Sequence, residues 1–122
     1  MHNITTGIDI IEIDRIREAI DTWDSKFLNR VYTQSEQDIC KQSNASLAGR
    51  FAAKEAVLKA INTSVPVCNW REIEILASAN NRPLVKLHGN ISAECKERGI
   101  KGFDVSISHC RDYAIAVAVA QC

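Results

Sequence analysis

Two acids and a lysine stand out because their surroundings do not call for them. Asp9 interrupts Ile8-Asp-Ile-Ile11, an isoleucine-rich run of strand character in which aspartate is disfavoured. Glu55 and Lys59 stand four residues apart in the alanine-rich stretch Ser46 to Ile61. An acid on a strand and an acid on a helix flanked by lysines would suit hard-cation and phosphate chemistry. Magnesium takes one or two carboxylates and leaves its other positions to water and phosphate oxygens. Each residue also has a plainer account. Asp9 could be a strand-end or edge residue facing water, and Glu12 and Asp14 could be surface and helix-start acids. Glu55 and Lys59 could form only an exposed ion pair, worth about 0.2–0.5 kcal/mol.

Lys54 is a second anomaly. Taking Arg50 as zero and about 100° per residue, Leu47, Phe51, Leu58 and Ile61 project at roughly 60°, 100°, 80° and 20°. Lys54 projects at about 40°, inside that apolar stripe, while Glu55 and Lys59 flank it at about 140° and 180°. A lysine there either snorkels to water or meets an anion, because an unpaired buried ammonium is costly. Ser108-His109 is the third oddity, at a strand end entering a turn. Neighbours on a strand point to opposite faces, so these two do not make a Ser–His hydrolase pair. Cys110 beside them could be a nucleophilic thiol, but nothing else in the sequence supports it.

Several elements must position these residues. Ile4 to Ile13 reads as a strand, with Ile8 and Ile10 on one face and Asp9 and Ile11 on the other. Ile13, Ile16 and Ile20 then switch to helical spacing. Thr33-Gln-Ser-Glu36 has the form of a capping box, starting a helix that runs toward Lys41. Ser46 to Ile61 is the strongest helix. Asn62 to Asn69 is a polar break. Arg71 to Leu76 and Leu84 to Leu87 read as a hairpin around Ser78-Ala-Asn-Asn-Arg-Pro83. Asn90 to Arg98 is a short helix with Asn90 as N-cap and Gly99 at its stop. Phe103 to His109 and Tyr113 to Val119 form a C-terminal hairpin. This mixed order predicts an α+β fold with an antiparallel sheet, in one domain over residues 1–122.

Composition narrows the function classes. Fifteen Lys and Arg balance fifteen Asp and Glu, so no global field recruits nucleic acid or a membrane surface. The five cysteines, Cys40, Cys68, Cys95, Cys110 and Cys122, are widely spaced with no C-x-x-C pair. Free thiols in a reducing compartment fit them better than a disulfide framework. The N-terminus lacks the pattern of a signal peptide, and no apolar run approaches the roughly 20 residues of a membrane span. A cytoplasmic protein is expected.

Three blocks go further when taken together. Gly7-Ile-Asp9 followed by Arg15, Ala48-Gly-Arg-Phe-Ala-Ala-Lys-Glu-Ala56 with Lys59-Ala60, and Val105-Ser-Ile-Ser-His109 resemble the holo-(acyl-carrier-protein) synthase family of 4'-phosphopantetheinyl transferases. The first block alone is weak, the second is highly specific, and the three span nearly the whole chain. The resemblance implies a small α+β transferase fold whose antiparallel sheet packs against a long helix. It also implies Mg2+-dependent transfer of 4'-phosphopantetheine from coenzyme A to a serine of an acyl carrier protein, releasing adenosine 3',5'-bisphosphate. By the same resemblance Asp9 and Glu55 are the magnesium carboxylates. Glu55, directly or through a metal-bound water, accepts the serine proton, and Lys59 holds the pyrophosphate. Arg50 and His109 contact the nucleotide end, with Ser108 beside them; Lys54 belongs to the same block and meets either ligand or structure. Arg15, Arg17, Lys26 and Arg30 are the expected carrier-protein contacts, although acids interleave with them. Family members are usually homotrimers with coenzyme A between subunits. Two departures fall in loops: Asn62-Thr-Ser-Val-Pro66 replaces Gly-rich sequence, and Asn81 replaces a Gly. The competing readings are a coenzyme A or carrier binder without catalysis, and a magnesium-dependent pyrophosphate hydrolase.

Overall fold

The computed structural model describes residues 3–61 and 69–122. Strand β1 (Ile4–Glu12) runs directly into helix α1 (Ile13–Trp23), followed by α2 (Ser25–Val31), α3 (Gln34–Cys40) and the long α4 (Asn44–Ile61). A 3₁₀ turn at Trp70–Glu72 precedes the hairpin of β2 (Ile73–Ala77) and β3 (Pro83–Leu87). Helix α5 (Gly89–Glu97) leads to β4 (Gly102–His109) and β5 (Tyr113–Gln121). Strands β1, β5 and β4 form an antiparallel sheet in that order, with Asp9 opposite Ala116 and Ala116 opposite Ile107. The architecture is α+β, as the mixed order of elements predicts.

Helix α4 lies across the inner face of this sheet, and small residues on both sides let it sit close. Ala52, Ala53, Ala56 and Ala60 face Ala116, Ala118 and Ala120 in one buried core with Val57, Ile73, Ile75 and Val105. A second core fills the space under α1, α2 and α3, where Ile16, Val31, Tyr32 and Cys40 meet Leu47, Ala48 and Ala114. The Tyr32 hydroxyl donates to the Leu47 carbonyl at 2.7 Å and ties that layer to α4. The outer face of the sheet is unlike the inner. Ile8, Ile10, Tyr113, Ile115 and Val117 are all exposed there, and Ile8 pairs with Val117 and Ile10 with Ile115 across the ladder.

Two expectations change, and one element is additional to them. The strand expected from Arg71 begins at Ile73, because Asn69 accepts from the Arg71 amide and holds Trp70–Glu72 in a 3₁₀ turn. Helix α5 is not capped by Asn90; its N-cap is His88, and Glu72 accepts from the Ile91 amide at 3.0 Å instead. Helix α2 was not foreseen: it is seven residues long and starts beyond Asp24, which takes a positive φ. Asn81 adopts φ 60°, the left-handed conformation that asparagine tolerates better than most residues. The expected polar break falls outside the described residues over 62–68, as does Cys68. Among the described residues Cys40, Cys95, Cys110 and Cys122 are free thiols, and no helix is long and apolar enough to cross a membrane.

Candidate active site

The site begins with a residue that has no side chain. An added Cβ at Gly7 would lie 2.0 Å from the Ala56 carbonyl oxygen and 2.7 Å from the Ala60 amide nitrogen. Only glycine lets β1 press onto α4 here. The Thr5 hydroxyl, one inward position earlier, donates to the Ala60 carbonyl at 2.6 Å and fixes the contact. Asp9, the next inward position, is thereby brought to the edge of α4 beside Glu55 and Lys59. The Lys59 ammonium donates to the Ile8 carbonyl at 2.9 Å and to Asp9 Oδ1 at 3.2 Å. Glu55 lies close enough to Asp9 to feel its charge. Burial and the Asp9 carboxylate push the Glu55 carboxyl up, with Lys59 opposing them. An acid on a strand and an acid on a helix therefore meet at the protein surface, with a lysine one helical turn on.

This donor set suits a hard cation. Two carboxylates on separate elements leave positions for water and phosphate oxygens, as magnesium requires. Among the described residues no group of three or more His, Cys, Asp or Glu could hold a metal. A closed zinc site of protein ligands is therefore not what this pair offers.

Lys54 resolves differently from Lys59. Its ammonium is completely buried and donates to Glu36 Oε1 at 2.8 Å, the Trp70 carbonyl at 3.1 Å and the Ile73 carbonyl at 2.6 Å. An ammonium has three protons, so none is left for a ligand. The lysine on the apolar stripe meets an anion supplied by the protein itself. Glu36 is equally buried; it accepts from the Thr33 amide to close the capping box and from the Ile75 amide at 2.8 Å. The sequence signal for Glu36 was the capping box, but not its second role as partner of Lys54. Arg50 is half-buried and anchored by a 3.0 Å hydrogen bond from Nε to the Ile75 carbonyl.

The remaining sequence candidates lie apart from the acid pair. His109 sits on the inner side of β4, two strands from β1, which is roughly 10 Å, and opposite Ala114 rather than Ala116. Ser108 points to the outer face opposite Ile115, so the two neighbours do diverge. Arg17 is held by Asp14 at 3.3 Å and Asp21 at 3.5 Å. Arg15, Lys26 and Arg30 are exposed. Lys26 and Arg30 line a cleft of about 380 Å³ with Phe27 and Trp23. Trp23 is 61% exposed, an aromatic that spacing alone did not mark. A larger cleft of about 460 Å³, lined by Leu28, Gln37 and Lys41 among others, lies away from the acids. The described residues thus bring Asp9, Glu55 and Lys59 together, and leave Arg50 and His109 separate from them.

A long helix is pressed onto an antiparallel sheet, with two carboxylates and a lysine at their seam. The family comparison is more specific. The model of the 4'-phosphopantetheinyl transferase superfamily matches residues 5–118, and the chain belongs to that superfamily. It is 50% identical over 117 residues to the holo-(acyl-carrier-protein) synthase of Dehalococcoides mccartyi, covering 95% of this chain and 97% of that one. It is 43% identical over 123 residues to the same enzyme of Herpetosiphon aurantiacus, covering 95% and 97%. Among solved structures, it superimposes on the Helicobacter pylori holo-(acyl-carrier-protein) synthase bound to coenzyme A with a TM-score of 0.86. That pair is 36% identical, over 95% of this chain and 99% of that one. The Neisseria meningitidis enzyme gives a TM-score of 0.87 at 30% identity, over 97% and 98%.

Proposed function

We infer that the chain transfers the 4'-phosphopantetheine group of coenzyme A to a serine of an apo acyl carrier protein. The observation that carries this reading is the convergence of Asp9, Glu55 and Lys59 at the α4–β1 seam of a superfamily member. Asp9 and Glu55 would hold Mg2+, which supplies charge neutralisation on the diphosphate. The serine oxygen attacks the β-phosphate, forming the serine–phosphate ester. The bond to adenosine 3',5'-bisphosphate breaks, and the serine proton passes to Glu55. In the metal-free protein burial and Asp9 raise the affinity of Glu55 for a proton. Lys59, with an exposed side chain, places its charge where the leaving phosphate develops negative charge. Arg50 and His109, with Ser108 beside them, bind the nucleotide end.

The separation of Arg50 and His109 from the acid pair favours sites completed between subunits. The exposed apolar outer face, with Ile8, Ile10, Ile115 and Val117, is the kind of surface that copies of one chain cover. A homotrimer is our reading of it. Carrier docking falls to Arg15, Lys26 and Arg30, with Trp23 as an aromatic anchor between basic residues. Arg17 contributes less charge, being already paired. The 122 residues form one domain that works in the cytoplasm without nucleic acid or membrane.

The competing pyrophosphate hydrolase and the transferase differ in their need for an acceptor. With coenzyme A and Mg2+ but no carrier protein, adenosine 3',5'-bisphosphate should not accumulate; adding apo carrier should start its release. Equal release in both reactions would replace the transferase by a hydrolase.

A further inference from the structure

Helix α4 carries two lysines with opposite bonding. Lys54 is fully buried with all three protons committed to protein acceptors. The Lys59 side chain is 56% exposed, and among the described residues its ammonium holds only Asp9 Oδ1 and the Ile8 carbonyl. The first is a fixed strut. The second is a positive charge on a flexible four-carbon stem, resting on one of the two carboxylates that a cation at this seam would use.

We propose that Lys59 and a divalent cation are alternative occupants of the Asp9 carboxylate, so that cation binding drives the ammonium off Asp9 and toward the anionic substrate. This rests on the reading of Asp9 and Glu55 as a cation pair. An ammonium 3.2 Å from Oδ1 lies in the region that magnesium enters at about 2.0–2.1 Å from its oxygens. Two positive charges on one carboxylate repel at that range. Lys59 can leave cheaply, because its head is already in contact with water and its release exposes only one carbonyl, Ile8, at the surface. Coupling follows in both directions. A cation frees the ammonium for the diphosphate, and a diphosphate that draws the ammonium away leaves Asp9 to the cation, each raising the affinity for the other by the same factor.

Mn2+ binding to the protein without coenzyme A, followed by electron paramagnetic resonance, tests this directly. Lys59→Gln should bind Mn2+ about tenfold more tightly than wild type, because one competing positive charge is gone. Lys59→Arg keeps the charge and should stay near wild type. Coenzyme A, added without carrier protein, should tighten Mn2+ binding to wild type by a larger factor than to Lys59→Gln. Unchanged or weaker Mn2+ binding by Lys59→Gln, with an unshifted melting temperature, would overturn the proposal. Asp9→Asn separates the two levels. If it weakens Mn2+ binding while Lys59→Gln has no effect, the cation site stands and the competition fails. If Mn2+ binding ignores Asp9→Asn, the cation pair itself is wrong.

Discussion

Glu55 and Lys54 are adjacent residues with opposite fates, and the difference lies in what each meets. Glu55 has Asp9 as a neighbour and partial burial around it, both of which favour the protonated form. Its carboxyl should therefore titrate above the ordinary glutamate value of about 4.3, read by carbon NMR on the metal-free protein. Asp9→Asn should bring it down while the contribution of burial persists; no change would place Asp9 too far away to act on it. The acid limb of the transfer rate should follow the same group. Activity falls as pH drops through the value Glu55 has in the Mg2+-loaded enzyme, which the cation holds below the metal-free one, because a protonated Glu55 cannot take the serine proton. Lys54 tells a different story. Lys54→Met strands the Glu36 carboxylate in a dry interior, a loss of about 3–5 kcal/mol, seen as a large fall in melting temperature. A melting temperature near wild type would mean that the pair is not needed. The sequence marked Lys54 as anomalous from its 3.6-residue period, and it named the right dilemma. It could not say which anion resolves it, because Glu36 arrives from 18 residues away, through a contact that exists only after α3 folds back on α4.

The elements were legible wherever a local signal sets them. The isoleucine alternation of β1, the capping box of α3 and the alanine-rich α4 all appear where spacing and caps place them. Two of the misses differ in range, one decided by a tertiary hydrogen bond and the other by a bond between residues two apart. Glu72 caps α5 from another element, and Asn69 turns Trp70–Glu72 before β2 can begin. Gly7 is the clearest case of a residue whose motif was visible while its reason was not. Nothing in Gly-Ile-Asp shows that a helix backbone 49 residues later lies within 2.0 Å of where its Cβ would be. Gly7→Ala should push β1 off α4 and destabilise the fold by about 1–3 kcal/mol, as overpacking does. Transfer should fall further than that loss of stability explains, because Asp9 and Glu55 are drawn apart. A variant that keeps full activity would show that the seam tolerates slack.

At the scale of the whole molecule, the sheet has two unlike faces. The inner face is alanine against alanine, which is what lets α4 carry the site so close to β1. The outer face presents isoleucine, valine and tyrosine to solvent in cross-strand pairs. Val117→Lys should lower the mass measured by light scattering to the 13.6 kDa of one chain, and transfer should fall with it if Arg50 and His109 of one subunit serve the acids of another. A wild-type protein that runs at single-chain mass would remove the trimer. The central claim is that Asp9 on a strand and Glu55 on a helix together make the site of transfer. Its most direct measurement is the intact mass of an apo acyl carrier protein incubated with coenzyme A, Mg2+ and each form of the protein. Wild type should add one phosphopantetheine, about 340 Da, whereas Asp9→Ala and Glu55→Ala, with melting temperatures near wild type, should leave the carrier mass essentially unchanged. Carrier converted by both variants at the wild-type rate would contradict the account.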